Sequence, residues 1–264
     1  MSIRWLALPA VALVILAAGS GGADDKAAAE FVGRVEPAAT VDLRSRVNGA
    51  IVAVHCKAGD EVKQGDLLFE IDPRPYQAEL DRAMGGVGPA EARLRFYVAE
   101  LERAKHLRPT GGITQGEYDR LVAERANSEG MIQTARAAVE AAKVYLDYTR
   151  IVAPMRGRVS HPLAAGNVVR ENRNVLATLV ADDPVTVAVG VDEKTALRLL
   201  KGKGTGGPAT VGFADETGFP HEARVEAVGV QADPATGTVQ VRVVVPNPGR
   251  RVLPGMSARV RLTP

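Results

Sequence analysis

Between Tyr76 and Thr149 the apolar positions fall once per helical turn. On a first arm Tyr76, Leu80, Ala83, Val87, Ala90, Leu94, Tyr97, Leu101 and Ala104 recur at alternating spacings of four and three. On a second arm Tyr118, Leu121, Arg125, Ser128, Ile132, Ala135, Val139, Ala142, Leu146 and Thr149 keep the same beat. Such spacing gathers one residue per turn on a single seam and predicts two long helices packed as a coiled coil. Arg108-Pro-Thr-Gly-Gly-Ile113 separates the arms, and its Pro and two Gly stop the first helix. Thr114 with Glu117 three residues on has the form of a capping box, which opens the second. A loop that short forces the arms antiparallel, and at 1.5 Å per residue each reaches roughly 50 Å. Two irregularities stand out. Gly85-Gly-Val-Gly-Pro89 predicts a kink or short break in the first arm, because each Gly costs about 1 kcal/mol and Pro about 3 in a helix interior. Arg125 and Ser128 interrupt the apolar seam of the second.

Outside the arms the period changes from 3.6 to 2. Val41-Asp-Leu43 and Val47 alternate apolar with polar and Ala50–Val54 is β-rich, on either side of the tight-turn pair Asn48-Gly49; then Ala58-Gly-Asp60 and Gln64-Gly-Asp66 lead into Leu67–Ile71. After the arms the same order returns. Ala153–Val159 parallels Arg46–Ile51, Gly166 and Val169 parallel Gly59 and Val62, and Val175–Leu179 parallels Leu67–Ile71. This split repeat predicts one small β-sandwich closed by two halves, with the helical hairpin leaving its tip. From Val185 onward, strand patterns at Val185–Val191, Ala209–Phe213, Ala223–Val230, Thr238–Val245 and Ser257–Leu262 alternate with turn signals. One short helix is expected at Asp192–Leu200. Together they predict a small barrel, which the segment near Phe31–Val35 joins.

Composition narrows the function classes. With 33 basic and 31 acidic residues and 4% aromatics, nothing supports a nucleic-acid surface. A single cysteine, Cys56, excludes an internal disulfide framework and reads as a small core residue. His55, His106, His161 and His221 fall at no zinc-ligand spacing, and the methionines do not cluster, so no metal or other cofactor is expected. The loop Gly202–Gly207 lacks the strand-before, helix-after context of a phosphate loop. No catalytic grouping stands out, and the chain is read as a non-enzyme. Residues 1–23 read as a signal peptide or N-terminal anchor: Arg4 precedes an apolar run, Trp5–Ala18, that is short for a membrane span. Either way the remainder is exported.

Five phrases in this order carry a resemblance: Val41-Asp-Leu-Arg-Ser-Arg-Val-Asn-Gly49, Val62-Lys-Gln-Gly-Asp-Leu-Leu-Phe-Glu-Ile-Asp-Pro73, Tyr148-Thr-Arg-Ile-Val-Ala-Pro154, Asp233-Pro-Ala-Thr-Gly-Thr-Val-Gln-Val241 and Leu253-Pro-Gly-Met256. Over nearly all of residues 31–264 the chain resembles the periplasmic adaptors, or membrane fusion proteins, of resistance-nodulation-division (RND) tripartite efflux pumps, of the HlyD-like kind. The resemblance implies a mainly β fold with a long antiparallel α-helical hairpin: a lipoyl-like β-sandwich split by the hairpin, plus a small β-barrel. The expected domains are 31–40 with 183–264 (barrel), 41–74 with 150–182 (lipoyl-like) and 75–149 (hairpin). The resemblance also implies an inner-membrane RND transporter and an outer-membrane channel as partners, self-association into a ring, and a periplasmic location at the inner membrane; whether the N-terminus is cleaved or stays as an anchor is left open by the sequence. A family motif at the hairpin tip maps onto Arg103, Leu107 and Thr114, with Thr in place of the family's Ser; it implies contact with the channel. Helix capping would also account for Thr114 and a solvated helix face for Arg103, but the hydroxyl can cap and still sit at the tip. Family members usually continue into a membrane-proximal domain beyond the last barrel strand, whereas this sequence stops at Pro264. Two alternatives are an adaptor of an ABC-type efflux or secretion system and a lipoyl or biotinyl carrier domain. Against the carrier, the helical insertion stands where a carrier lysine would be, and Asp25-Lys-Ala27 lies before the folded region.

Overall fold

The computed structural model describes residues 29–201 and 205–262. The N-terminal apolar run, Asp25-Lys-Ala27 and part of the Gly202–Gly207 loop lie outside the described residues. Two compact units emerge. One holds residues 42–155 and 159–178, the other residues up to 41 with 156–158 and 179–264.

In the first unit the strands are β2 (Gly49–Val54), β3 (Glu61–Val62), β4 (Leu67–Ile71), β5 (Arg150–Val152), β6 (Gly157–Ser160) and β7 (Val168–Val169). The two halves of the repeat exchange strands. One sheet runs β5-β4-β2-β7, so β7 of the second half lies on β2 of the first. Conversely, Val159 of β6 exchanges backbone bonds with Gly59 and Asp60 beside β3 of the first half. Ile51, Leu68, Phe69, Ile71, Val159, Val169 and Leu176 are buried between the sheets. Neither half could bury those side chains alone. Cys56 is in the same core, where burial pushes its thiol up.

The helical insertion consists of α1 (Arg74–Leu107), a single 3₁₀ turn at Arg108–Thr110 and α2 (Gln115–Asp147). Pro75 sits at its favoured place at the start of α1. Just before it, Asp72 accepts from the Arg74 backbone N–H and guanidinium, which holds its carboxyl down to about 2. The seam residues of both arms are buried or half-buried, with Leu80, Val139 and Ala142 forming a core with Ala83, Val87 and Leu146. Two expectations need correction. First, of the kink or short break expected at Gly85–Pro89, the break does not occur: the helix is continuous, with Pro89 inside it. Packing of Val87 into the seam and ion pairs to α2 on the C-terminal side (Arg136–Glu91 at 3.1 Å, Arg93–Glu124 at 3.3 Å) override the local propensity. Second, Arg125 is not in the seam. It is exposed and pairs with Glu129 at 2.6 Å, while Glu124 turns inward to Arg93. Ser128 is fully buried there, its hydroxyl donating to the Glu124 carbonyl at 2.8 Å.

The second unit is a barrel. Its strands are β1 (Ala29–Arg44, entering the barrel through residue 41), β8 (Val175–Asp192, from residue 179), β9 (Pro208–Phe213), β10 (His221–Asp233), β11 (Thr238–Val245) and β12 (Ser257–Leu262). They run β1-β12-β9-β10-β11-β8, and β8 pairs back onto β1, closing the ring. Closure leaves no free strand edge. Val35, Val187, Val189, Val211, Val225, Val241, Val243, Val260 and Leu262 fill the interior. A nine-residue helix, α3 (Glu193–Lys201), follows β8, and its Ala196 and Leu199 join that core.

Candidate partner-binding site at the hairpin tip

The tip is built by the sequence that stops α1 and starts α2. Leu107 is the last residue of α1, and its carbonyl accepts from the Gly112 N–H (3.0 Å) and the Thr110 hydroxyl (2.9 Å). Gly111 takes the left-handed conformation, φ 73°, that a Cβ would strain. Thr114 then caps α2. Its hydroxyl oxygen accepts from the Glu117 N–H at 3.3 Å, while Glu117 accepts from the Thr114 N–H at 3.0 Å and hydroxyl at 2.7 Å. These donors hold the Glu117 carboxyl below the usual carboxylate range. The capping box expected from the sequence is therefore present.

All three tip residues are exposed. Arg103 sits one turn before Leu107, on the outer side of α1, and pairs with Glu100. Leu107 keeps 49% of its surface in solvent. Thr114 is on the far side of the turn, at the start of α2. The seam position next to Leu107 belongs to Arg108. Its guanidinium lies 4.7 Å from the Tyr118 ring centre and donates to Gln115 at 3.0 Å, tying the end of α1 to the first turn of α2. Sequence reasoning did not pick out this clamp, although a cation and an aromatic residue on facing seam positions were its signal.

A second feature escaped the seam pattern. On the side of α1 away from α2, Gly85, Pro89, Ala92, Phe96 and Ala99 continue to Arg103, all exposed at spacings of four and three. On α2, Ala123, Gly130, Thr134, Ala137 and Ala141 form a matching outer strip. Each helix thus carries a second face at coiled-coil spacing, of small residues on α2 and of small residues around Phe96 on α1, open to approach by another helix. Among the described residues no group of three His, Cys, Asp or Glu side chains could hold a metal. A shallow cleft in the sandwich is lined by His55, Asp60, Glu61 and Asp66, but Asp60 and Asp66 accept the Lys57 and Lys63 N–H groups and close their own turns.

Comparison with known proteins agrees with this architecture. Residues 39–181 match the family model described as RND MFP, barrel-sandwich hybrid domain, and residues 185–264 match the CusB-like beta-barrel domain. Multidrug efflux pump subunit AcrA of Escherichia coli K12 is 32% identical over 243 residues, covering 88% of this chain and 61% of its own length. Multidrug resistance protein MdtA of Pectobacterium atrosepticum is 32% identical over 235 residues, covering 88% of this chain and 57% of its own. The chain therefore spans about three fifths of the length of these relatives. A MacA–MexA chimera containing the Pseudomonas aeruginosa MexA α-hairpin domain superposes with a TM-score of 0.66 at 23% identity, covering 90% of this chain and 79% of that one. That likeness establishes the shared fold, a β-sandwich split by an α-hairpin and a β-barrel. Because one domain model alone covers more than half of its residues, this chain belongs to the RND membrane fusion protein family.

Proposed function

We propose that this protein is a periplasmic adaptor that bridges an inner-membrane RND efflux transporter and an outer-membrane channel, so contributing to export of small molecules. Its work is mechanical, not enzymatic. The observation that carries the reading is the hairpin tip, an exposed leucine held in place by a capping box and an Arg–Tyr clamp at the end of two long helices. Exposed single leucines are common, but this one lies on a turn whose backbone is fixed before any partner arrives, and preorganisation favours binding. Relatives named as a multidrug efflux pump subunit and as a multidrug resistance protein support the same direction. We assign channel contact to Arg103, Leu107 and Thr114. The outer strips of α1 and α2 suit side-by-side packing of hairpins into a ring, which a conduit needs and a single hairpin cannot enclose. The division into a barrel (31–40, 183–264), a lipoyl-like domain (41–74, 150–182) and a hairpin (75–149), with residues 1–23 as signal or anchor, is part of the proposal. No lysine is expected to carry lipoate or biotin, and intact mass of the purified protein decides that point.

The test is Leu107→Asp. If the channel covers Leu107, the carboxylate is buried unpaired at a cost of a few kcal/mol, and channel co-purification and efflux-dependent drug tolerance fall roughly tenfold or more. Circular dichroism should be unchanged, because Leu107 is outside the helix seam. Arg103→Ala should weaken the same contact less. Normal channel recovery in Leu107→Asp would overturn the contact assignment and leave Thr114 as a helix cap.

A further inference from the structure

We propose that the end of the barrel bearing α3 docks on an anionic lipid surface, through Leu197 and Leu200 and the cations Lys194, Arg198 and Lys201. This rests on the reading of the chain as an adaptor working at a membrane, and adds which face meets the lipid.

α3 is amphipathic in an unusual sense. Ala196 and Leu199 face the barrel, yet Leu197 and Leu200, at 55% and 53% exposure, point away from it. Lys194, Arg198 and Lys201 surround the two leucines, all exposed, and no ion pair among the described residues engages them. Acids stand nearby. Asp192 and Asp233 are committed to backbone donors, accepting from the Thr195 N–H at 3.0 Å and the Ala235 N–H at 2.9 Å. Glu193 lies in the first turn of α3, the favoured end for an anion. The outer face of α3 therefore presents apolar side chains among exposed cations, the combination that settles at a lipid headgroup boundary.

Topology supplies the second observation. The five neighbouring pairs from β1 round to β8 are all antiparallel, so in a closed ring of six β1 and β8 also run oppositely. The start of β1 and the end of β8 are then at one rim, together with the end of β12, since Ala29 pairs with Leu262. Thr238, which opens β11, pairs with both Asp192 and Asp233. The β10–β11 turn therefore belongs to this rim too, and three residues before it the side chain of Val230 is wholly exposed at a break in the ladder. Ten residues, 19–28, separate Ala29 from the apolar run Trp5–Ala18. Fully extended they span about 35 Å at most. A chain held at a membrane by that run keeps Ala29, and with it this rim, within that distance.

The experiment uses the full chain with a solvatochromic label on Leu197→Cys in a Cys56→Ser background. It is mixed with vesicles of phosphatidylethanolamine and phosphatidylglycerol, or of neutral phosphatidylcholine. The label should shift to the blue and be quenched by lipid-borne quencher only on the anionic vesicles, and high salt should reverse the change. Lys194→Gln, Arg198→Gln and Lys201→Gln together should reduce label insertion roughly a hundredfold, about fivefold for each cation near an anionic surface. Protein that sediments with the vesicles while the label stays in water would overturn the α3 proposal and leave membrane association intact. Neither sedimentation nor a shift would count against both. A label shielded only by added purified transporter would give this face to a protein and overturn the lipid assignment.

Discussion

At the residue scale, two side chains separate structural from contact roles. Thr114 has a complete structural role in its capping box. Thr114→Ala should destabilise the hairpin by about 1 kcal/mol in chemical denaturation, and Thr114→Ser should restore it. If Thr114→Ala disturbs channel binding only as far as it frays α2, amide exchange in the first turn of α2 and channel recovery will change together. Glu216 is the second case. Its carboxylate lies 2.8 and 2.9 Å from His221 Nε2 and accepts the Phe213 N–H at 3.1 Å, which closes the β9–β10 turn. These partners, His221 foremost, hold its pKa below the ordinary 4.5. A depressed carboxyl adds stability above its unfolded pKa and loses it as pH falls through the folded value. Glu216→Gln should therefore lower the barrel's melting temperature at neutral pH, and the gap to the native protein should close as the pH drops below about 4.5.

At the element scale, α1 shows how tertiary contacts settle an ambiguous stretch. Gly85, Gly86 and Gly88 have open space where a Cβ would stand, with nothing within 4 Å. Alanine at all three should fit and stabilise α1 by about 1 kcal/mol each, seen as a higher melting temperature. A lower one would mean that these glycines serve a bend the helix must make. Because Gly85 belongs to the outer strip, the same variant reports on assembly: added methyl groups there should reduce cross-linked oligomers while the isolated hairpin gains stability. The corrected seam at Glu124 has a similar origin. Periodicity placed Arg125 inside, but its long cation reaches solvent and Glu129, and the Arg93 guanidinium draws Glu124 inward instead.

At the scale of the whole molecule, barrel closure is concentrated at Gly33. A Cβ there would come 2.6 Å from the Ala188 carbonyl oxygen and 2.9 Å from a Val187 methyl, so β1 reaches β8 only because this position has no side chain. Gly33→Ala should cost roughly 1–3 kcal/mol as an overpacking change. Amide protection should fall in β1 and β8 first, while the hairpin retains its helical signal. Equal loss of protection throughout the chain would mean that the two units unfold as one.

The sequence by itself determined the local and the repetitive. The seam of Leu80, Leu101, Ile132 and Val139, the turn at Gly111, the Thr114 cap and the duplicated strand pattern were legible because 3.6- and 2-residue periods and turn chemistry act over neighbouring residues. Tertiary structure decided whatever depends on partners distant in the chain. It chose a continuous α1 over a broken one and Glu124 over Arg125, because helix-to-helix contacts outweigh the propensity of a few residues. It exchanged β3 and β7 between the two halves of the repeat, because each half needs the other to cover its apolar face. It also brought Ala29, Asp192, Thr238 and Leu262 to one rim of the barrel. No spacing along the chain encodes that juxtaposition; it follows only when six alternating strands close.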